Sequence, residues 1–319
     1  MSKIIAVHGA TGTQGGSVVK ALLNLDWKVI AITRNAVSDA AKALTAAGAE
    51  VMTANFEDEA SLVTAYEDVD AIFLVTNFWG HLLAGKSASQ SGEAEFKEAM
   101  AVVKIADKLS SLKHLIWSTV PGNAEGQRKR TAVPHFDYKA QVDATIRNEY
   151  PSLAAKTTFL YVGYYANNLS DGPMVKPFTT PGSFGSYVWL MPVPRTVMLP
   201  MAGDTAVNVG VFTKAILMQP EKTKGKYVGC IVETMTQEKL LQCWSAATGK
   251  NVAYLQVDAG DWIKAFGPPG EETYLNLKAF EENESWYMDN NPLLAKDLGI
   301  ESEIVDTQAF LEMSGERLL

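Results

Sequence analysis

The 319-residue chain has only two cysteines, Cys230 and Cys243, and four histidines. Two thiols cannot make a disulfide framework, and they stand too isolated for a structural zinc site, which takes about four ligands. Both are read as reduced thiols in packed positions. His8, His81 and His114 have no paired spacing to carboxylates or thiols, so no metal is expected. Long apolar runs are also missing. Residues 187–201 are interrupted by Pro192, Pro194, Arg195 and Pro200, which falls short of the roughly 20 apolar residues of a membrane span. Ile4 to Val7 is shorter than the apolar core of a signal peptide, about 7–15 residues. A cytoplasmic protein with no membrane partner is expected. Basic charge is in deficit, 28 Lys and Arg against 36 Asp and Glu for a net charge of −8, which argues against nucleic acid as a partner. The glycosylation-like triplets Asn168-Leu169-Ser170 and Asn283-Glu284-Ser285 are read as chance matches.

What is present is ordinary globular composition, 47% hydrophobic and 20% charged, in a chain long enough to bury roughly 75% of its extended surface without staples. The first half alternates short β-branched runs with amphipathic stretches, the pattern of a doubly wound parallel sheet with helices on both faces. Strands are expected at Ile4 to His8, Lys28 to Thr33, Glu50 to Thr53, Ala71 to Thr76, His114 to Ser118 and Thr157 to Val162. These make six βα units. Val18, Val19, Leu22 and Leu23 fall at helical spacing, Ser38 is placed to cap an Ala-rich helix, and Glu93 to Leu109 turns Phe96, Met100 and Val103 toward the sheet. After about Asn168 the chain becomes Pro- and Gly-punctuated, with helices expected near Asn208 to Met218, Thr236 to Thr248, Asp258 to Phe266 and Glu271 to Asn291. The division expected is residues 1–168 for a nucleotide-binding domain and 169–319 for a smaller α+β region that closes a cleft, with some of its segments returning to the sheet.

His8-Gly9-Ala10-Thr11-Gly12-Thr13-Gln14-Gly15-Gly16 follows the first strand and opens the first helix. Gly9 serves a tight turn, Gly12 lets a pyrophosphate approach the backbone, and Gly15 lets helix and strand pack closely, so the helix N-terminus faces the phosphates. Thr11, Thr13 and Gln14 belong to the same loop. The second strand ends Thr33-Arg34-Asn35, where NAD-binding chains usually carry an acid. A guanidinium at Arg34 suits a 2′-phosphate, which favours NADP(H); a solvated loop residue is the alternative. Asn55 and Phe56, after the third strand, are placed at the adenine.

The Gly-Ala-Thr-Gly-x-Gln-Gly run, Thr33-Arg34-Asn35, Val75-Thr76-Asn77-Phe78-Trp79 and His135-Phe136-Asp137-Tyr138-Lys139 together resemble the NmrA-like family, an atypical branch of the short-chain dehydrogenases. The resemblance runs from residue 3 nearly to the C-terminus. It implies a Rossmann domain with a small C-terminal domain and NADP binding, in a family that includes both reductases and redox-sensing regulators. Short-chain dehydrogenases use Tyr-x-x-x-Lys on a helix and a Ser at the end of the fifth strand. Here Ser118 and Lys139 hold two of those positions, while His135 stands in place of the tyrosine. His135 and Lys139 share one helical face at i, i+4, and Tyr138 points elsewhere. The imidazole is read either as a proton donor or as a helix-start residue bonded to the backbone. Lys139 is placed on the nicotinamide ribose.

Thr76, Asn77, Phe78 and Trp79 after the fourth strand, and Tyr161, Gly163 and Tyr164 after the sixth, are placed around the nicotinamide end. For Tyr161 and Trp189 a packed core is the preferred reading. The aromatic share suits a flat, small aromatic substrate. Gln127-Arg128-Lys129-Arg130 is read as a solvated loop or a lid. Two functions stay open. One is an NADPH-dependent reductase of an aromatic carbonyl, quinone or imine, or a biosynthetic enzyme retaining NADP. The other is a non-catalytic sensor of the NADPH/NADP ratio that regulates a protein partner.

Overall fold

The computed structural model describes residues 3–23, 25, 27–122, 131–172 and 174–319. The basic stretch Gln127 to Arg130 lies outside the described residues.

Strands and helices alternate through the first half: β1 (Lys3–Val7), α1 (Thr13–Leu23), β2 (Trp27–Thr33), α2 (Asp39–Ala46), β3 (Glu50–Thr53), α3 (Glu59–Ala65), β4 (Ala71–Leu74), α4 (Phe78–Leu83), α5 (Ala88–Ala106), β5 (His114–Thr119), α6 (Pro134–Glu149), α7 (Pro151–Ala154) and β6 (Thr157–Val162). The rest comprises β7 (Tyr164–Tyr165), α8 (Asn168–Asp171), β8 (Phe178–Thr179), β9 (Tyr187–Met191), β10 (Met198–Gly203), α9 (Thr205–Met218), α10 (Pro220–Thr223), β11 (Tyr227–Cys230), β12 (Glu233–Thr236), α11 (Gln237–Thr248), β13 (Val252–Gln256), α12 (Ala259–Glu282), α13 (Ala295–Leu298) and α14 (Thr307–Ser314).

Seven parallel strands form the main sheet in the order β11-β6-β5-β4-β1-β2-β3. The order reverses between β1 and β4, and the carboxyl ends of strands at such a reversal are where open α/β sheets hold ligands. The central strands β4, β5 and β6 are buried at every position, as parallel strands covered on both faces must be. The edge strand β3 is only half-buried. Small sheets β12-β10-β7 and β13-β9-β8 build the remainder.

The six strands expected from the sequence are all found in the main sheet, with one addition there, while the six strands of the two small sheets were not expected. Tyr-Val-Gly-Cys at β11 returns from the second half to extend the sheet beyond β6, a strand too short and too glycine-containing to stand out. From the same half, α9 packs on α1, where the Ser17 hydroxyl donates to the Val207 carbonyl at 2.9 Å and accepts from the Gly210 amide at 2.8 Å. A Cβ on Gly210 would stand 2.3 Å from the Ser17 carbonyl oxygen, so only glycine permits this close a crossing.

Helix ends follow local chemistry. Ser38 accepts from the Ala41 amide and starts α2. The helix expected from Glu93 begins earlier, at Ala88, because Ser87 and Gln90 form a reciprocal capping box. The two expected helices 258–266 and 271–291 run together as α12, kinked at Gly267 (φ 62°) ahead of Pro268 and Pro269, and the second ends at Glu282. Both cysteines are buried. Among the described residues, no helix is long and apolar enough to cross a membrane.

Candidate active site

The glycine turn lies at the carboxyl end of β1. Gly9 has φ +61°, a left-handed conformation that glycine adopts without strain. The Gly12 amide donates to the Gly9 carbonyl at 2.8 Å. A Cβ on Gly15 would meet the Gly9 carbonyl oxygen at 2.3 Å, so this position is closed to any side chain. Thr11, Gly12 and Thr13 are exposed at the start of α1, leaving the unpaired amides of the first helical turn accessible to an anion. A cavity of about 250 Å³ opens there, with Gly12, Thr13 and Gly16 on one side and Asn167, Asp204 and Arg317 on the other. Asn167 is held by Asp204 and Thr205 and is buried.

Arg34 is exposed just beyond β2, and Asn35 accepts from the Val37 amide at 3.1 Å. Asn55 accepts from the Glu57 amide, and Phe56 stacks on His8 with ring centroids 5.0 Å apart. Phe56 also lines a second cavity of about 530 Å³, together with His81, Lys86, Gln90, Lys97 and Glu98. Burial pushes the Glu98 carboxyl up, opposed by His81 at 2.9 Å and by the positive charge of Arg34. Arg34 and Phe56 therefore border the same region. His8 itself is buried and bonded to the Tyr66 hydroxyl; burial lowers its pKa to about 3, so the ring is neutral.

Ser118, near the end of β5, donates to the Gln14 side-chain oxygen at 2.7 Å, and Gln14 in turn donates to the Tyr165 hydroxyl. The glycine turn, β5 and β7 thus meet in one hydrogen-bonded chain. Lys139 Nζ lies 2.8 Å from Thr76 Oγ1, 2.8 Å from Glu95 Oε1 and 4.8 Å from the centre of the Trp117 ring. Thr76 donates to the same carboxylate oxygen at 2.8 Å, as does the Phe78 amide at 3.1 Å. One turn earlier on α6, His135 bonds through Nδ1 to Glu272 Oε1 at 2.6 Å and packs against Phe78, Trp79 and Phe136. Asn77 caps α4 by accepting from the Gly80 amide, which orients the two aromatic residues that follow it. Tyr138 instead packs on α5, where Gly92 makes room for its ring.

His135, Lys139, Ser118, Thr76, Phe78 and the glycine turn thus gather at one edge of the sheet. Tyr161 does not join them. Its ring stacks on Tyr227 at 4.7 Å and its hydroxyl accepts from Asn290 at 2.7 Å, so it is a core residue despite standing at the end of β6. Trp189 is likewise core, its indole donating to the Val175 carbonyl. Gly163 lies against β10, where a Cβ would stand 2.3 Å from the Pro200 carbonyl oxygen, and Tyr164 is half-buried, its phenol pushed up to about 12 by burial.

Sequence reasoning missed Glu95, Glu272 and Asp143. Glu95 shares the buried stripe of α5 with Ala99, Val102 and Val103, and Glu272 that of α12 with Ala279 and Phe280. A carboxylate in an apolar stripe is the signal that marks each. Asp143 continues the face of His135 and Lys139, accepting from Trp117 Nε1 at 2.7 Å and Thr119 Oγ1 at 2.9 Å. Burial raises its pKa to about 7.

The family model described as the NmrA-like family matches residues 1–310. An NmrA-like family domain-containing protein of Dictyostelium discoideum is 28% identical over 269 residues, 83% of this chain and 84% of the relative. The NmrA-like family domain-containing oxidoreductase cpsB of Aspergillus campestris is 27% identical over 296 residues, 88% of this chain and 82% of the relative. Among solved structures, NmrA, a negative transcriptional regulator, superposes with TM-score 0.79 at 22% identity, covering 98% of this chain and 95% of the other. The same regulator in complex with NADP gives TM-score 0.76 at 21% identity, with the same coverage.

Proposed function

Since the chain belongs to the NmrA-like family, we propose that it is an NADP(H)-binding oxidoreductase, and specifically an NADPH-dependent reductase of an aromatic carbonyl, quinone or imine. The observation that carries this reading is the placement of His135 against Phe78 and Trp79 and of Lys139 on Thr76 at the sheet's carboxyl edge, where Ser118 of β5 is bonded to Gln14 beside the glycine turn. Relatives named as NmrA-like oxidoreductases and a structural neighbour solved with NADP support it.

The residues fit a dinucleotide. The tight Gly9 to Gly15 turn leaves Thr11, Gly12 and Thr13 open at the N-terminus of α1, suited to a pyrophosphate. Arg34 is exposed for a 2′-phosphate, next to Phe56 and Asn55 for the adenine side. Bound NADPH would supply a hydride; the protein supplies position and a proton. Lys139 uses two of its three N–H donors on Glu95 and Thr76, and the third suits a ribose hydroxyl. Ser118, whose proton goes to Gln14, offers its oxygen as an acceptor to the nicotinamide amide. His135 holds the exchangeable proton. The aromatic rings favour a flat substrate stacked in the same place.

Two observations favour a second reading, an NADPH/NADP sensor acting on a protein partner. The tyrosine position holds His135, and the Lys139 ammonium is neutralised by Glu95, which weakens its ability to activate a neighbouring acid. Titration with NADPH followed by absorbance assays against quinones, aryl ketones and imines separates the two. Turnover supports the reductase. Tight binding without turnover, and partner affinity that changes on saturation with cofactor, supports the sensor.

A further inference from the structure

The acceptor of the His135 ring comes from the far half of the chain. Glu272 lies on α12 beyond the Gly267 kink, and its side chain is 1% exposed. Its Oε1 accepts from the His135 backbone amide at 2.9 Å and lies 2.6 Å from Nδ1 of the same residue. The first bond serves the start of α6, whose N-cap Val133 has no polar side-chain atom to offer. That need would be met by any acceptor. The second bond acts on the ring alone. An oxygen already receiving one N–H is an acceptor, so Nδ1 carries the proton, and a neutral imidazole has only one proton to place. Nε2 is then the nitrogen that gains and loses a proton. Phe78, Trp79 and Phe136 pack around the ring at 5.6, 5.4 and 4.5 Å and keep it from turning over.

We infer that Glu272 is a positioning residue for His135, holding the Nδ1–H tautomer so that Nε2 is the atom that exchanges a proton with the substrate. This rests on the reductase reading for its purpose, and on the two hydrogen bonds for its geometry. When a carbonyl carbon receives the hydride supplied by NADPH, the C=O electron pair moves onto oxygen, which needs one proton. The imidazolium of His135 releases that proton from Nε2 and becomes neutral, keeping Nδ1–H on Glu272, and water returns the proton afterwards. The carboxylate balances the ring's charge while it is protonated.

The test reads the ring directly. In ¹⁵N-labelled full-length protein at alkaline pH, with His135 assigned by the signal missing in His135→Asn, the wild type is expected to show Nδ1 protonated and Nε2 bare. Glu272→Gln retains an acceptor oxygen and keeps that pattern. Glu272→Leu removes it and returns the ring to the Nε2–H form preferred in water. An Nε2–H ring in the wild type, or an unchanged Nδ1–H ring in Glu272→Leu, overturns the inference. Should Glu272→Leu not fold, the wild-type spectrum alone decides. With 9,10-phenanthrenequinone as probe, Glu272→Leu is expected to lower kcat at least tenfold with little change in the KM for NADPH, and Glu272→Gln to recover part of it. Absence of quinone turnover in a wild type with an Nδ1–H ring counts against the reductase reading and leaves the assignment of Glu272 standing.

Discussion

Lys139 and Glu95 form a buried ion pair at 2.8 Å that joins α6 to α5 across the end of β4. The side chains are 13% and 2% exposed. The carboxylate also receives Thr76 and the Phe78 amide, so one oxygen positions the lysine, the strand-end threonine and the first residue of α4. Lys139 is therefore held on a fixed counter-charge.

Removing one partner of such a pair strands the other charge in a low-dielectric interior, a loss of about 3–5 kcal/mol. Lys139→Met and Glu95→Gln should each lower stability in urea denaturation, with Lys139→Met the larger loss because it leaves a carboxylate uncompensated. The double variant should be more stable than the sum of the two losses implies. Strict additivity would show that the pair is not energetically coupled.

Arg34→Ala should weaken NADPH by roughly 10- to 100-fold, the equivalent of losing a charge-assisted contact of about 1.5–3 kcal/mol, while NADH changes little. Calorimetric titration with both dinucleotides checks this. Equal losses for the two would mean that Arg34 does not read a 2′-phosphate.

Asp143 sets a pH signature of its own. Its folded pKa of about 7 lies above the ordinary aspartate value of 3.8, with burial as the main cause, opposed by Thr119, Trp117 and the charge of Arg147. Between those two pH values the folded state holds a proton that the unfolded state has released, so this group's contribution is complete below the unfolded pKa and is lost as pH rises through about 7. His8 and His114, lowered by burial to about 3, act in the opposite sense below their unfolded value of 6.5. A difference measurement separates them. The stability of Asp143→Asn relative to wild type should rise from pH 4 to pH 7, by an amount on the order of a few kcal/mol. Parallel pH profiles would contradict the assignment.

Much of this architecture is legible from residue patterns because its causes are local. Strands β1, β4, β5 and β6 are apolar on both faces, the Gly9 to Gly15 spacing joins a strand to a helix, and Ser38 announces α2. The seventh strand, β11, is not legible, since four residues with a central glycine give no period and gain their place only from pairing with β6. Lys139 and His135 could be placed on one helical face from i, i+4 spacing. Their partners could not, because Glu95 and Glu272 are brought to them by packing between distant helices. Tyr161 shows the converse limit. Its position at a strand end suggested the cleft, yet the side of β6 on which its ring falls is covered by Tyr227 and Tyr287.

The most direct test is calorimetric titration of the full chain with NADPH and NADH, beside Gly15→Ala, in which a Cβ would stand 2.3 Å from the Gly9 carbonyl oxygen. Dinucleotide binding at the glycine turn requires one NADPH per chain, tighter than NADH, and loss of binding in Gly15→Ala, which should also be destabilised by about 1–3 kcal/mol. No NADPH binding by a folded wild-type chain, or undiminished binding by Gly15→Ala, would contradict it.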